Sequence, residues 1–182
     1  GGSYKGPFLI TPAGKVRTFN EKDGLTANTL TTFKITGDND NKLWLGSYFG
    51  ITRYDGNRFH TFINPVWRKR GNAIYDIIIS QPNKFILVSD DGLFEFSEGN
   101  YYTPEKFKLL NNKDIRSIKT DKNSNLWVCT SEGVFVIGEY NLLINISNGL
   151  SNNSCNDIYI DSSDVAWIAT DNGLNKIFFQ PD

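Results

Sequence analysis

Acidic side chains recur just ahead of a glycine in three successive stretches of the chain: Asp90 and Asp91, Glu132, and Asp171. Paired carboxylates are what glycosidic hydrolysis needs, one to protonate the leaving oxygen and one to attack or to activate water. Separation in sequence does not set the distance between Asp91, Glu132 and Asp171, and nothing else completes a catalytic set. His60 is the single histidine. It lies in the alternating run Arg58-Phe59-His60-Thr61-Phe62, where strand geometry gives it a structural or surface role. No GxSxG, Walker loop, dinucleotide glycine pattern or zinc-ligand cluster is present. The expectation is a chain that is not an enzyme and carries no cofactor.

Two other groups invite chemistry. Cys129 and Cys155 are separated by 25 residues, which matches no two-thiol motif, and they read as unpaired thiols, one on a strand and one in a connection. The acidic runs Asp38-Asn39-Asp40-Asn41, Asp121-Lys122-Asn123-Ser124-Asn125 and Asp161-Ser162-Ser163-Asp164 alternate oxygen ligands as calcium loops do. None continues into the glycine and distal glutamate of an EF-hand, and each falls where one strand must turn into the next. Side-chain to backbone hydrogen bonds in hairpin turns account for them, so no metal site is expected.

The elements that would position these groups follow from a repeat. Trp44, Ile86, Trp127 and Trp167 are each followed six residues later by Gly50, Gly92, Gly133 and Gly173. Those glycines lie 42, 41 and 40 residues apart, a period that points to tandem units. The fold class is all-β, with propeller blades, each a four-stranded antiparallel meander, repeated about every 41 residues. Residues 1–182 read as one propeller segment: outer strands of a preceding or closing blade at 5–20, blades at 21–63, 64–104 and 105–147, and an incomplete blade at 148–182. Within a unit, period-two alternation gives four strands, as at Ile115–Thr120, Leu126–Thr130, Val134–Ile137 and Leu142–Ile146. The tryptophans are expected to pack between blades, with Phe85 compensating for Ile86 in the second unit. The glycines are expected at turns that need an unusual backbone angle.

Ligand contacts, if any, belong on turns and connections held by this frame. Tyr48 and Phe49 occupy the turn before Gly50. Asp90, Asp91, Ser131, Glu132, Asp171 and Asn172 hold the equivalent places. Trp67, Arg68 and Arg70 lie in the longest non-periodic connection. Aromatic rings of this kind stack on sugar C–H groups, and Asn, Asp and Arg bond to hydroxyls. Nineteen basic and twenty acidic residues, with no basic block, argue against a nucleic-acid partner. The opening GGSYKGPF lacks the charged start and apolar stretch of a secretion signal. The two incomplete ends leave three readings open: a four-bladed ring closed by Val16–Phe19, two chains completing one ring by self-association, or a segment of a larger propeller.

The pieces GLTANTLTTFKITGDNDNKLWLGSYFGITRYDG and GLSNNSCNDIYIDSSDVAWIATDNGLNKI resemble the periplasmic two-component-regulator propeller repeats of bacterial hybrid sensors. The shared features are a Gly-Leu followed by a small polar residue and Asn (Asn28, Asn153), an acidic turn, the Leu-Trp strand and the later glycine. Ile86, Cys129, Ala169 and the middle units without Gly-Leu depart from the pattern. The resemblance implies a ligand-sensing region in the periplasm that recognises glycan fragments and relays occupancy to a kinase outside this chain. The competing reading is a non-catalytic interaction or structural scaffold.

Overall fold

A computed structural model describes residues 2–3, 6–25, 32–38, 40–48, 50–70, 72–139 and 141–178, with the main chain alone at 2–3, 32–33 and 68–70. Asn28, Asn39, Phe49 and Gly71 lie outside the described residues, as do the side chains of Arg68 and Arg70. The chain divides into two compact units, Gly1–Pro104 and Glu105–Asp182.

In the first unit, β1 (Gly2–Ser3), β2 (Gly6–Ile10) and β3 (Val16–Thr18) form one sheet. A second is β4 (Thr32–Gly37), β5 (Leu43–Ser47), β6 (Gly50–Tyr54) and β7 (Phe59–Ile63), in that order. A third is β8 (Ile74–Gln81), β9 (Lys84–Ser89), β10 (Gly92–Ser97) and β11 (Asn100–Tyr102). The second unit holds β12 (Ile115–Thr120), β13 (Leu126–Thr130), β14 (Gly133–Ile137) and β15 (Leu142–Ile144). Its other sheet is β16 (Cys155–Ile160), β17 (Ala166–Thr170) and β18 (Gly173–Ile177). Every pairing is antiparallel between sequence neighbours, so each sheet is a meander. Val16–Thr18 pairs with β2.

Alternation along a strand sends its two faces to different neighbours. On β5, Trp44 packs with Ile74, Ile77, Phe85, Leu87 and Phe96 of the next sheet, whereas Leu45 packs with Phe19, Leu25 and Phe59. Trp127 meets Cys155, Ile158, Ala166 and Ile168 in the same manner. Phe85 lies 4.3 Å from Trp44, centroid to centroid. It therefore serves the opposite face of β9 from Ile86, and it does not compensate for the smaller residue.

The acidic turns clasp these tryptophans. Asp38 Oδ1 accepts the N–H groups of Asp40 and Lys42, both at 2.9 Å, while Oδ2 accepts the Trp44 indole N–H at 2.6 Å. Asp121 and Asp161 repeat the arrangement on Trp127 and Trp167, each indole bond being 3.0 Å. The Trp167 indole and the Val165 N–H hold the Asp161 carboxyl below its usual range. In the second repeat both partners are missing, since Ser80 stands at the aspartate position and Ile86 at the tryptophan.

The fourth strand of one sheet is tied to its neighbour by Tyr101. Its hydroxyl donates to the Phe62 carbonyl at 2.5 Å and accepts the Ile51 N–H at 2.9 Å, two groups that face each other across β6 and β7. Gly50 makes room for this: its φ is 137°, and a Cβ there would overlap both the Phe62 carbonyl and the Tyr101 hydroxyl. Tyr101→Phe should cost about 1–3 kcal/mol by leaving two backbone groups short of a partner. Urea unfolding reads this directly, and an unchanged midpoint would mean water replaces the hydroxyl freely.

Candidate functional site

The turn ahead of each glycine is framed identically. The hydroxyls of Ser47, Ser89, Thr130 and Thr170 donate to the carbonyls of Gly50, Gly92, Gly133 and Gly173. Ser89, Thr130 and Thr170 also accept the N–H of Asp91, Glu132 and Asn172. The described residues inside these frames, Tyr48, Asp90, Asp91, Ser131, Glu132, Asp171 and Asn172, are thus presented at the end of a hairpin, and they are among those read from the sequence as ligand contacts.

Beside them, every innermost strand carries a β-bulge at one register position. The pairing skips between Thr32 and Lys34, Ile74 and Asp76, Ile115 and Ser117, and Cys155 and Asp157. An extra residue in one strand re-aims its side chain, which is why bulges collect near binding sites. The extra residues are Phe33, Tyr75, Arg116 and Asn156. Tyr75, Arg116 and Asn156 are exposed, although Ile77, Ile118 and Ile158 two residues on are buried. The N–H groups of Ile77 and Ile158, next to the irregularity, are taken up by the side chains of Asp76 and Asp157 at 2.9 Å. Period-two alternation cannot reveal an inserted residue, and the sequence reading missed all four.

In residues 1–104, the Tyr75 hydroxyl donates to Asp90 at 2.6 Å, and Asp90 also accepts the Ala73 N–H at 2.9 Å. That bond to Asp90 is the main reason the Tyr75 phenol is raised to about 12. Tyr48, 41% exposed, adds electrostatically to the same shift. Trp67 is not with them. The segment read as a loop contains α1 (Pro65–Arg70), started by Asn64, which accepts the Val66 N–H at 3.0 Å, and by proline in the first turn. The helix buries Trp67 to 1% exposure, edge-on to Phe94 and Tyr101. Trp67 is a core residue and cannot touch a ligand.

In residues 105–182, Arg116 reaches from one sheet to the next. Its Nε donates to Asp114 at 3.0 Å, and its Nη1 to Ser154 Oγ, the Cys155 carbonyl and Asn156 Oδ1 at 2.8–3.2 Å. Asn156 Nδ2 then donates to Asp171 at 2.8 Å, which lowers the carboxyl of Asp171. Glu132 pairs with Lys113 at 2.5 Å, and Ser131 and Asn172 are exposed alongside. Among the described residues no group of three or more His, Cys, Asp or Glu is placed to hold a metal.

The cysteines correct the sequence reading. Cys129 and Cys155 form a disulfide, with Cα atoms 5.4 Å apart. They stand where Gly46 and Ile74 stand in the first unit, and a Cβ on Gly46 would come within 2.8 Å of Ile74 Cγ2. The close approach that requires glycine in one pair of sheets is occupied by a covalent bond in the other.

Solved structures of known proteins share the fold. Across 99% of its length the chain matches the extracellular domain of the hybrid two-component system BT4673 from B. thetaiotaomicron, with a TM-score of 0.78 and 21% identity. The fold is that of a β-propeller. The sheets are its blades. The extracellular domain of BT3049 from the same organism matches over 96% of the chain, with a TM-score of 0.70 and 22% identity. Virginiamycin B lyase from Staphylococcus aureus matches over 93%, at 0.64 and 13%, covering 61% of that protein. The chain spans about a quarter of those two extracellular domains, 25% and 24%. Residues 109–132 match the two-component regulator propeller family. No curated protein sequence matches the chain.

Proposed function

We propose that this chain is a ligand-sensing stretch of propeller from a bacterial two-component system, non-catalytic, lying in the periplasm and recognising glycan fragments. The observation that carries the proposal is the blade end on which framed turn residues and bulge residues meet: Tyr48, Tyr75 and Asp90 in one unit, Arg116, Asn156 and Asp171 in the other. Exposed rings and pre-oriented amide, guanidinium and carboxylate groups are the means by which proteins hold sugars. The matched extracellular sensor domains support the location, and so does the disulfide, since such bonds persist in oxidising compartments. The kinase that would read occupancy belongs to a larger parent protein.

Thermal unfolding against a library of oligosaccharides tests this. A ligand at a hundred times its Kd should stabilise the fold by about 2.7 kcal/mol, visible as a raised midpoint. No shift with any sugar would sink the glycan reading. An interaction scaffold is favoured by a different observation. The last blade leaves Tyr159, Leu174 and Phe178 between 62% and 65% exposed, beside a groove of 470 Å³ lined by Leu142, Ile144, Ile177 and Phe178. Light scattering over a tenfold concentration range distinguishes self-association through this end from a monomer.

A further inference from the structure

We propose that each unit reads a ligand through the side chains carried on the bulges of its own innermost strands, Tyr75 in residues 1–104 and Arg116 with Asn156 in residues 105–182, and that the ligand is a neutral, hydroxyl-rich oligosaccharide. The inference rests on the sensor reading and deepens it. The bulge occupies the same register position in four blades, yet its residue differs in each: Phe33, Tyr75, Arg116, Asn156. Buried neighbours such as Ile74, Ile77, Cys155 and Ile158 stay apolar. At the three positions whose side chains are described, a fixed backbone carries variable exposed chemistry, an arrangement organised for recognition that contributes nothing to the core.

The groups in the slot are already oriented. Asn156 has its Oδ1 committed to Arg116 and its Nδ2 to Asp171, which fixes the amide, and both residues are exposed to an incoming group. Arg116 is anchored through Nε and Nη1, and its Nη2 has no acceptor among the described residues. A guanidinium held in this way offers two further N–H donors at little entropic cost. Tyr75 is pinned by Asp90 with its ring 43% exposed, suited to stacking on a pyranose face.

The charge pattern selects among sugars. In each unit the described cations beside the slot are matched by carboxylates: Lys34 with Asp76 at 2.7 Å, Lys113 with Glu132 at 2.5 Å, Arg116 with Asp114 at 3.0 Å. Asp90, Asp157 and Asp171 are exposed in addition. A uronate or sulfate reaching Arg116 Nη2 would meet a surplus of like charge, since among the described residues Asp114, Glu132, Asp157 and Asp171 outnumber Lys113 and Arg116 there, whereas a hydroxyl meets donors and acceptors together.

The test is calorimetry on the whole chain with three probe classes: neutral gluco-, manno- and xylo-oligosaccharides, oligogalacturonides, and sulfated chondroitin oligosaccharides. Arg116→Ala, Arg116→Lys, Asn156→Ala and Tyr75→Ala are compared with the parent, each with its unfolding midpoint recorded. Binding confined to a neutral probe, weakened about tenfold or more in Arg116→Ala or Asn156→Ala with the midpoint held and not rescued by Arg116→Lys, is the expected result. Should Arg116→Ala fail to fold, Asn156→Ala and Tyr75→Ala carry the same comparison. Preference for an acidic probe overturns the neutral class and leaves the sensor reading standing. Neutral binding untouched by all four variants overturns the bulge slot. Binding of no probe removes both readings together.

Discussion

Trp127→Ala should lower stability by about 3–5 kcal/mol, the range for truncating a large buried aromatic residue. Trp127 is 1% exposed and packs among Val136, Ile144, Cys155, Ile158, Ala166 and Ile168, so its removal opens a cavity between two blades. It also takes the indole N–H away from Asp121 Oδ2, which keeps only the Asn125 amide at 2.8 Å. Urea melts give the number, and a loss below about 1 kcal/mol would place the ring at the surface. Trp167→Ala is the internal control. That ring is half-buried with Lys176 Nζ 4.8 Å from its centroid, and its truncation should cost clearly less.

The second large effect concerns the disulfide. Cys129 and Cys155 are 26 residues apart, and closing a loop of that length restricts the unfolded chain by about 3.5 kcal/mol at room temperature in the chain-entropy treatment. Replacing both cysteines with alanine should therefore lower stability by about 2–4 kcal/mol. Chemical reduction should do the same only after the blades open, because both sulfur-bearing residues are 0% exposed. Melts of the double variant and of the parent with and without reductant check this. A double variant as stable as the parent would show that packing of the two inner strands suffices.

Much of the fold is legible in the residues themselves. The expected strands Ile115–Thr120 and Leu126–Thr130 coincide with β12 and β13, the second being the continuous apolar run that a strand buried on both faces requires. The glycine positions follow from left-handed backbone, with φ of 137°, 109°, 127° and 116°. Three things escape. The short helix α1 is too brief to show a 3.6-residue period, so its tryptophan looked like a loop aromatic. The disulfide joins neighbouring blades, and a sulfur pair at Gly46 and Ile74 positions is visible only once the blades are superposed. The two-residue strand β1 ends on Ser3, the first residue of Ser3-Tyr4-Lys5-Gly6, a motif that echoes Ser47-Tyr48-Phe49-Gly50 and would have extended the repeat towards the amino terminus. For the site, the turn residues were legible from their position before the glycine, and the bulge residues were not.

The clasp between aspartate and tryptophan has a bearing on how such repeats diverge. Either partner alone leaves a deficit: the indole N–H is buried without an acceptor, or the carboxylate of a tight turn without one of its donors. The second repeat, with Ser80 and Ile86, has neither. Their turn has changed with them, tightening to Pro82-Asn83 with Asn83 at φ 59° and Ser80 Oγ donating to the Lys84 carbonyl at 3.0 Å. A blade of this kind thus has two self-consistent states with a less fit passage between them, and its neighbours can remain in the first while it occupies the second.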